Sequence, residues 1–201
     1  MSIGCSTRAR ARARTNEGAC PPVHRDLLDS REPPLLNRKG STVNDSYSGR
    51  LNSPIGTVEV TVNEGGAVVS VSFVDELTPE VGETGQACAR AVGQLEEYFR
   101  SERRRFELEL EPEGTEFEYR VWSAVQRIQF GTTDTYGEIA RRLGEPDAAR
   151  AVGHANARNP IAIIVPCHRV IGSDGDLTGY AGGLDRKKWL LDMESGQARL
   201  F

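Results

Sequence analysis

The sequence predicts a small α/β domain at residues 47–112, with a sheet and one helix, followed by a mostly α-helical domain at residues 113–201 that contains a helix-turn-helix. Three observations support this fold class. Alternating apolar and polar residues predict strands in the first domain. Apolar residues at helical spacing dominate the second domain. The 201 residues, of which 38% are hydrophobic, suit one compact domain or two small ones that share an interface.

The composition indicates which cellular compartment and which classes of partner to expect. The formal net charge is -4 at pH 7, so no overall basic field attracts nucleic acid, although a local patch can still set the potential that a partner meets. The four cysteines include no CxxC pair, which disfavours a disulfide scaffold and favours a reducing cytoplasm. No apolar run approaches the roughly 20 residues that span a bilayer. We therefore expect a cytoplasmic protein without a membrane partner.

Residues 1–46 are rich in Arg, Pro, Ser and Asn and show no sustained period. Such a segment buries too little apolar surface to offset its conformational entropy, so we predict a disordered, Arg-rich tail. It has no apolar h-region, which excludes a secretory signal; a transit peptide, or sequence translated from an early start codon, remain alternatives. Cys5, Cys20 and His24 lack the spacing of a closed zinc module. We predict no metal site, and zinc held with a fourth ligand from elsewhere stays open.

The first domain begins with a predicted hairpin. Two alternating strands, at residues 56–63 and 67–74, flank a Glu-Gly-Gly turn. Residues 85–102 then place apolar side chains at helical spacing, and "RRFELELE" at residues 104–111 alternates again and predicts a third strand. The apolar face of the helix comprises Cys88, Ala91, Val92, Leu95, Tyr98 and Phe99. Cys88 is therefore predicted to be a core residue and not a reactive thiol.

The second domain begins with two helices that carry capping signals. Thr115 and Glu118 have the spacing of a capping box, and Gly131 is the predicted stop of the first helix. Thr135 and Glu138 repeat the capping pattern for the second helix, which Gly144 is predicted to end. A third helix is predicted from Pro146-Asp147 to the residue before Pro160. The tight Gly-Glu-Pro turn between two short helices is typical of a helix-turn-helix.

The third helix is unusually thin. Its small residues include Ala149, Ala151 and Gly153, while Arg150 lies in its first turn and Arg141 and Arg142 close the preceding helix. Small side chains allow the backbone to approach a neighbour closely. That neighbour is either another helix of the protein or a narrow DNA groove, and the spacing alone leaves both open.

Cys167 follows a predicted buried strand at residues 161–165 and precedes a glycine-rich loop. A thiol reacts as the thiolate, and a nearby His or other cation lowers its pKa. His168 is the next residue, and Glu194, after the predicted helix "LDRKKWLLDM", is a candidate to orient that His. These residue types permit nucleophilic catalysis, but a buried structural cysteine is an equal alternative on chemistry alone.

The segment "NPIAIIVPCHRVIGSDGDLTGYAGGLDRKKWLL" resembles the active-site segment of the O6-alkylguanine-DNA alkyltransferases, the methylated-DNA–protein-cysteine methyltransferases. The preceding "FGTTDTYGEIARRLGEPDAARAVGHANARNP" resembles the helix-turn-helix of the same family. The match is dense over residues 117–194, and the "SPIG" hairpin resembles the start of the family's N-terminal domain. The resemblance implies that this first domain is ribonuclease H-like.

The resemblance also implies a reaction and its catalytic residues. Cys167 would accept the alkyl group from O6 of a guanine that is flipped out of the duplex, and O4-alkylthymine is a second expected substrate. His168 would take the thiol proton through a water molecule, with Glu194 supporting the His and Asn159 holding the active-site loop. Tyr136 matches the tyrosine that helps extrude the base and protonates the leaving guanine. The protein would act once, without a cofactor.

The same resemblance implies how DNA and the base are held. Arg150 matches the arginine that enters the stack, and the thin helix with Ala149, Ala151 and Gly153 would enter the minor groove of double-stranded DNA. Val170 and Tyr180 match the guanine pocket. Ala181 stands where some members carry a Ser that can bond O6, so a contact there is not implied. We expect a monomer, and no preference among alkyl groups is predicted.

Two other functions remain to be separated from this one. A non-catalytic sensor of DNA damage shares the fold but lacks the acceptor cysteine, and the presence of Cys167 disfavours it. A thiol hydrolase that uses Cys167 and His168 would leave the helix-turn-helix unexplained.

Overall fold

A three-stranded antiparallel sheet opens the part of the chain that the computed structural model describes, residues 46–74 and 86–196. Strand β1 (Ser46–Ser53) pairs with β2 (Gly56–Asn63), which pairs with β3 (Val68–Val74). The two predicted strands are confirmed, with β3 beginning one residue later than expected. Strand β1 was not predicted: only Gly49 and Leu51 are buried along it, so it lacks a sustained apolar alternation. Backbone pairing with β2, from Ser46 to Ser53, defines this strand instead.

Helix α1 (Gln86–Phe99) packs against β1 and β2 and completes a small α/β layer. The alternation of Val58, Val60 and Val62 on β2 faces the core, as the period of a half-buried strand requires. Cys88 is 0% exposed, and its Sγ donates to the Val60 carbonyl at 3.5 Å. The prediction of Cys88 as a core residue is therefore confirmed, and burial raises the pKa of its thiol.

The third predicted strand, at residues 104–111, is wrong. The segment joins β3 through one isolated parallel bridge, between Val68 and Leu110. Upstream, the amide of Gln94 on α1 bonds both the N–H and the carbonyl of Glu107, at 2.8 and 3.3 Å. A helix side chain therefore satisfies backbone groups that a ladder would have used. The alternating burial is nevertheless real and involves Phe106, Leu108 and Leu110.

Helix α2 (Glu116–Gln126) begins at the predicted capping box. The Thr115 N–H donates to Glu118 Oε2 at 2.7 Å, and the Glu118 N–H donates to Thr115 Oγ1 at 3.3 Å. The helix ends at Gln126, so the predicted stop at Gly131 is wrong. The residues between them form turns, and Gly131 adopts a φ of 75°.

Helices α3 (Tyr136–Arg142) and α4 (Ala149–Ala157) pack against each other and against α2. Thr135 caps α3 by accepting from the Glu138 N–H at 3.2 Å, and Gly144 beyond its end has a φ of 79°. Helix α4 begins later than the predicted Pro146-Asp147 and has no side-chain cap. The assignment of this pair as a helix-turn-helix stays a prediction.

The predicted buried strand at residues 161–165 is wrong. Ile161 makes one parallel bridge to Val71 of β3, and the chain then turns, with the Val165 N–H donating back to the Ile161 carbonyl at 3.0 Å. Ile163 reaches a φ of 71° in this turn. The apolar run is buried because it fills the core, and burial alone does not distinguish a strand from a turn.

The turn leads into the elements that carry the site. Residues Cys167–Arg169 form one turn of 3-10 helix, followed by β5 (Val170–Ile171), which pairs in parallel with β4 (Asp134–Thr135). Helix α5 (Leu184–Glu194) follows the glycine-rich loop. The sheet and helices confirm the α/β class, whereas the ribonuclease H-like topology and the boundary at residue 112 stay predictions. The predicted tail lies outside the described residues, except that Ser46 belongs to β1.

None of the helices within residues 46–74 and 86–196 combines the length and apolar composition that crossing a membrane requires. No group of three or more potential metal-ligating side chains occurs in these two ranges. Cys5, Cys20 and His24, the residues considered for zinc, lie outside them.

Candidate active site

Cys167 begins the short 3-10 helix and is only 6% exposed. Burial raises the pKa of its thiol; the Asn159 amide, the Lys187 charge and backbone N–H groups act in the opposite direction without reversing the effect. The thiol is therefore held neutral, and a base must remove its proton before it can act as a nucleophile.

His168, the residue after Cys167, forms a buried pair with Glu194. His168 Nε2 lies 2.9 Å from Glu194 Oε1, and both side chains are inaccessible to solvent. Burial alone would raise the pKa of Glu194, but hydrogen bonds and charges from His168 and Arg169 hold it far below its usual range. An ionised carboxylate accepts only, so Nε2 carries the proton of a neutral His168.

His168 Nδ1 is left as the basic nitrogen of this ring. It is buried and has no hydrogen-bond partner among the described residues. Burial lowers the pKa of His168, and the hydrogen bond and charge of Glu194 only partly oppose this effect. A ring with an unprotonated Nδ1 next in sequence to a neutral thiol is an arrangement able to take the thiol proton.

Arg169 is a third member of this cluster that the sequence analysis left without a role. Its Nε and Nη2 donate to Glu194 Oε2 and Oε1, each at 2.8 Å, while Nη1 donates to the Ile128 carbonyl at 2.7 Å. Two further donors complete the carboxylate: the Tyr98 hydroxyl at 2.6 Å from Oε1 and the Gly131 N–H at 3.2 Å from Oε2. The position of Arg169 directly after Cys-His could have indicated that it belongs to the site. Nothing in the sequence around Tyr98 indicated a polar role for its hydroxyl.

Asn159 ties together the turn that precedes Cys167. Its Nδ2 donates to the carbonyls of Val165, at 2.8 Å, and Ile161, at 3.3 Å. Its Oδ1 accepts from the Ile161 N–H at 3.0 Å. These bonds join the two ends of the turn and so fix the backbone that leads into Cys167. They are consistent with the predicted holding role, which stays a prediction.

A cavity of about 20 Å³ adjoins the thiol. Tyr180 and Ala181 line this cavity, whereas Val170 does not. Val170 is buried in β5. The complete lining is Asn156, Ala157, Asn159, Ala162, Cys167, Gly179, Tyr180, Ala181 and Gly182. A cavity of this volume holds about one water molecule and no base.

Two buried polar atoms of the residues around this cavity have no partner among the described residues, the Tyr180 hydroxyl and Asn156 Oδ1. The Asn156 amide is oriented by the Cys167 carbonyl, which accepts from Nδ2 at 3.3 Å. Burial raises the pKa of Tyr180, so its hydroxyl stays protonated. Asn156 was missed because its position on α4 suggested only a small-residue helix.

Lys187 of α5 is 0% exposed and interacts electrostatically with Cys167. Its Nζ donates to the carbonyls of Val170, at 2.6 Å, and Thr178, at 2.7 Å. Burial lowers the pKa of Lys187 to about 8, and the nearby thiol of Cys167 partly opposes this. Sequence reasoning missed this residue. The helical spacing that it shares with Leu190 and Glu194 was the signal for an inward face.

The predicted DNA-contacting residues lie on one exposed side of α3 and α4. Tyr136 begins α3, its hydroxyl donates to the Thr178 carbonyl at 3.3 Å, and its ring lies beside Gly153. Arg150 is exposed and makes no hydrogen bond or ion pair within the described residues. Ala151 is exposed and Ala149 half-buried, whereas Val152 and Ala155 face the core. The last turn of α4 lines the cavity, so one helix carries both the thin exposed face and part of the pocket wall.

Comparison with known proteins assigns the chain to a family. Residues 116–196 match the family described as 6-O-methylguanine DNA methyltransferase, DNA binding domain. The methylated-DNA–protein-cysteine methyltransferase of Mycobacterium leprae is 50% identical over 152 residues, which cover 73% of this chain and 91% of that protein. The protein of the same name from Methanosarcina acetivorans is 49% identical over 153 residues, which cover 74% of this chain and 97% of that protein.

A solved structure agrees with the sequence relatives. The crystal structure of Mycobacterium tuberculosis OGT in complex with DNA superposes with a TM-score of 0.68 and 44% sequence identity. The superposition covers 76% of this chain and 94% of that one. The chain therefore belongs to the family of methylated-DNA–protein-cysteine methyltransferases.

Proposed function

We propose that the protein repairs DNA by moving an alkyl group, methyl above all, from O6 of a guanine in duplex DNA onto Sγ of its own Cys167. The observation that supports this most is the buried pair of His168 and Glu194, whose His directly follows a buried cysteine with a raised thiol pKa. O4-alkylthymine is a second substrate in this proposal. The membership of the chain in the methyltransferase family supports the same reaction.

The reaction balances without a cofactor. Cys167 gives its proton through a water molecule to His168 Nδ1, and the thiolate attacks the alkyl carbon as the bond from that carbon to O6 breaks. The leaving guanine regains its O6 carbonyl and takes one proton, which the Tyr136 hydroxyl supplies. The proton held by His168 is released to solvent and Tyr136 regains one from solvent, so the net change is one proton lost by the thiol and one gained by guanine, and no oxidant or second substrate is consumed. Glu194 stabilises the imidazolium that forms during the transfer.

The product explains why we propose a single use. A thioether lacks the electrophilic carbonyl through which water hydrolyses a thioester. Within the described residues the other cysteine, Cys88, is buried in the core and bonded to the Val60 carbonyl. It therefore serves the fold and does not accept the alkyl group from Cys167. The alkylated protein is the end point.

DNA binding in this proposal uses the exposed face of α3 and α4. Arg150 enters the base stack in place of the flipped guanine, and the small residues Ala149, Ala151 and Gly153 let α4 enter the minor groove. Tyr136 helps to extrude the base. The DNA complex of the Mycobacterium tuberculosis relative supports duplex DNA as the partner, and base flipping is the general requirement for chemistry on a stacked base.

In this proposal the flipped base lies beside Tyr180 and Ala181, Val170 belongs to the base pocket, and Asn159 fixes the turn before Cys167. A helix-turn-helix in residues 113–201, a ribonuclease H-like first domain over residues 47–112, a monomeric state and a cytoplasmic site of action complete the proposal. The cytoplasm is reducing, which keeps the acceptor thiol usable.

The decisive experiment is a titration of a fixed amount of O6-methylguanine duplex with protein. While the duplex is in excess, we expect the moles of repaired guanine to equal the moles of active protein. The intact mass of the protein should rise by one methyl group, located on the peptide that contains Cys167. Product in several-fold excess over protein would refute the single use and favour a thiol hydrolase. Binding without any transfer would favour a damage sensor.

A further inference from the structure

Tyr98 connects the first domain to the proposed proton-transfer pair. It lies on α1, and its hydroxyl donates to Glu194 Oε1 at 2.6 Å across 96 residues of sequence. The same oxygen accepts from His168 Nε2 at 2.9 Å. The helical spacing predicts Tyr98 only as a residue of the apolar face of its helix. The structure therefore puts a polar group of one domain on the carboxylate that serves the other.

Packing accounts for the ring of Tyr98 but not for its hydroxyl. Three phenylalanine rings surround it, with centroids 5.5 Å away for Phe99, 5.5 Å for Phe106 and 6.0 Å for Phe130. The side chain is 0% exposed, so a Phe would fill this space without burying a polar group. The hydroxyl thus has one evident use, which is its bond to Glu194.

We infer that Tyr98 is a positioning residue for the proposed transfer: its hydroxyl holds Glu194 Oε1 against His168 Nε2 and so keeps His168 Nδ1 oriented to take the Cys167 proton. This inference rests on the proposed function. Tyr98 touches neither the thiol nor the base, and its effect passes through the carboxylate. Burial, followed by the charge of Glu194, raises the pKa of Tyr98 well above its usual value. The hydroxyl is therefore a neutral donor throughout the working pH range.

The effect of the hydroxyl on His168 has a definite sign. Glu194 Oε1 divides its acceptor capacity among Tyr98, His168 and Arg169. If the Tyr98 donor is removed, more of the negative charge is available to His168, and the imidazolium becomes more stable. The pKa of His168 then rises. The other charged and titratable groups that face this pair remain in place, namely Arg169, Lys187, Cys167 and Tyr180.

The test compares Tyr98→Phe with the matched hydroxyl deletion Tyr119→Phe, whose hydroxyl donates to the Pro112 carbonyl away from this pair. Single-turnover transfer from O6-methylguanine duplex is measured from pH 5 to 8 and divided by the moles of transferring protein. Tyr98→Phe should be slower by roughly 3- to 10-fold, because the His168 ring is less firmly held. Its acidic limb should move up by on the order of half a pH unit. Tyr119→Phe should match the unmodified protein in both.

A purely structural role would lower the number of active molecules but not move the pH midpoint. An unchanged rate and midpoint in Tyr98→Phe, or equal changes in Tyr119→Phe, would therefore overturn the inference. If the unmodified protein transfers nothing, the proposed function fails first.

Nitrogen-15 NMR of histidine-labelled protein then decides the position of the proton without any activity. His168 should be protonated at Nε2 in the unmodified protein, with a nuclear Overhauser effect between that proton and the Tyr98 hydroxyl proton. The titration of His168 should shift upward in Tyr98→Phe. Should that variant not fold, the Overhauser effect in the unmodified protein carries the test, and its absence would overturn the inference.

Discussion

Arg169 donates a hydrogen bond to each carboxylate oxygen of Glu194, with Nε 2.8 Å from Oε2 and Nη2 2.8 Å from Oε1. Both side chains are almost wholly buried. Arg169→Met would leave a buried carboxylate with fewer donors and no strong counter-charge. We expect the free energy of unfolding, measured in urea, to fall by about 3–5 kcal/mol.

Lys188→Met is the control for this prediction. Lys188 and Asp192 form an exposed pair on α5, 2.6 Å apart, and exposed pairs contribute at most about 1 kcal/mol. Equal losses in the two variants would contradict the structural importance assigned to Arg169.

The acceptor is tested with two cysteine variants. Cys167→Ala should yield no product above the spontaneous background while it still binds alkylated duplex, because the nucleophile is lost and the exposed face of α4 is not. Cys88→Ala should transfer at the unmodified rate per active molecule, with about 1 kcal/mol less stability from the methyl-sized loss in the core. Intact mass measures alkylation of each variant, and a gel shift measures its binding to the duplex. Residual alkylation of Cys167→Ala would show that another residue is the acceptor.

The transfer rate should depend on pH in a way that follows from the pKa of His168. Burial lowers this pKa below its ordinary value of 6.5, so the folded protein keeps the ring neutral at pH values where an unfolded chain has begun to protonate it. The acidic limb of the single-turnover rate should therefore have its midpoint below 6.5. A midpoint clearly above that value would contradict a neutral His168 as the base.

The free energy of unfolding should also fall as the pH is lowered. The pKa of Glu194 and that of His168 are both lower in the folded protein than their ordinary values. Each group thus contributes stability above its unfolded pKa, and that contribution is lost as the pH falls through the folded pKa. Urea midpoints should decline on acidification, first below about pH 6.5 from His168 and then below about pH 4.5 from Glu194.

Arg150→Ala should separate base flipping from chemistry. Duplex repair should slow far more than reaction with free O6-benzylguanine, since a free base requires no unstacking, which costs a few kcal/mol. Arg158→Ala is the matched control, because Arg158 is also exposed but lies at the end of α4 and is paired with Glu118 at 2.9 Å. Equal losses on the two substrates for Arg150→Ala would assign that residue to the fold.

Duplex binding by the unmodified protein should weaken with added salt.

Local signals in the sequence predicted local structure well. The capping box of Thr115 and the alternation of β2 depend on residues a few positions apart, and both are confirmed. The segment at residues 161–165 was misjudged because an apolar run reports burial and not backbone conformation. Strand β1 was missed because its partner β2 supplies the pairing that its own side chains do not indicate.

The candidate site was predictable only where its residues are contiguous or recur in a known motif. Cys167 and His168 belong to that motif, Glu194 was proposed as the carboxylate that orients the His, and the structure brings His168 and Glu194 into contact. Tyr98 and Lys187 were not predicted, because a tyrosine on an apolar helix face and a lysine on a charged helix have ordinary explanations. Their roles depend on contacts that only the folded chain creates.

The burial of Cys167 bears on how long the protein stays usable before it meets a lesion. A molecule that is spent in one reaction is wasted whenever something else takes its thiol. Peroxides and soluble electrophiles attack exposed thiolates, whereas this thiol is 6% exposed and has a raised pKa. We therefore expect the unalkylated Cys167 thiol to react slowly with peroxides and soluble electrophiles, so that it is preserved until the protein meets a lesion.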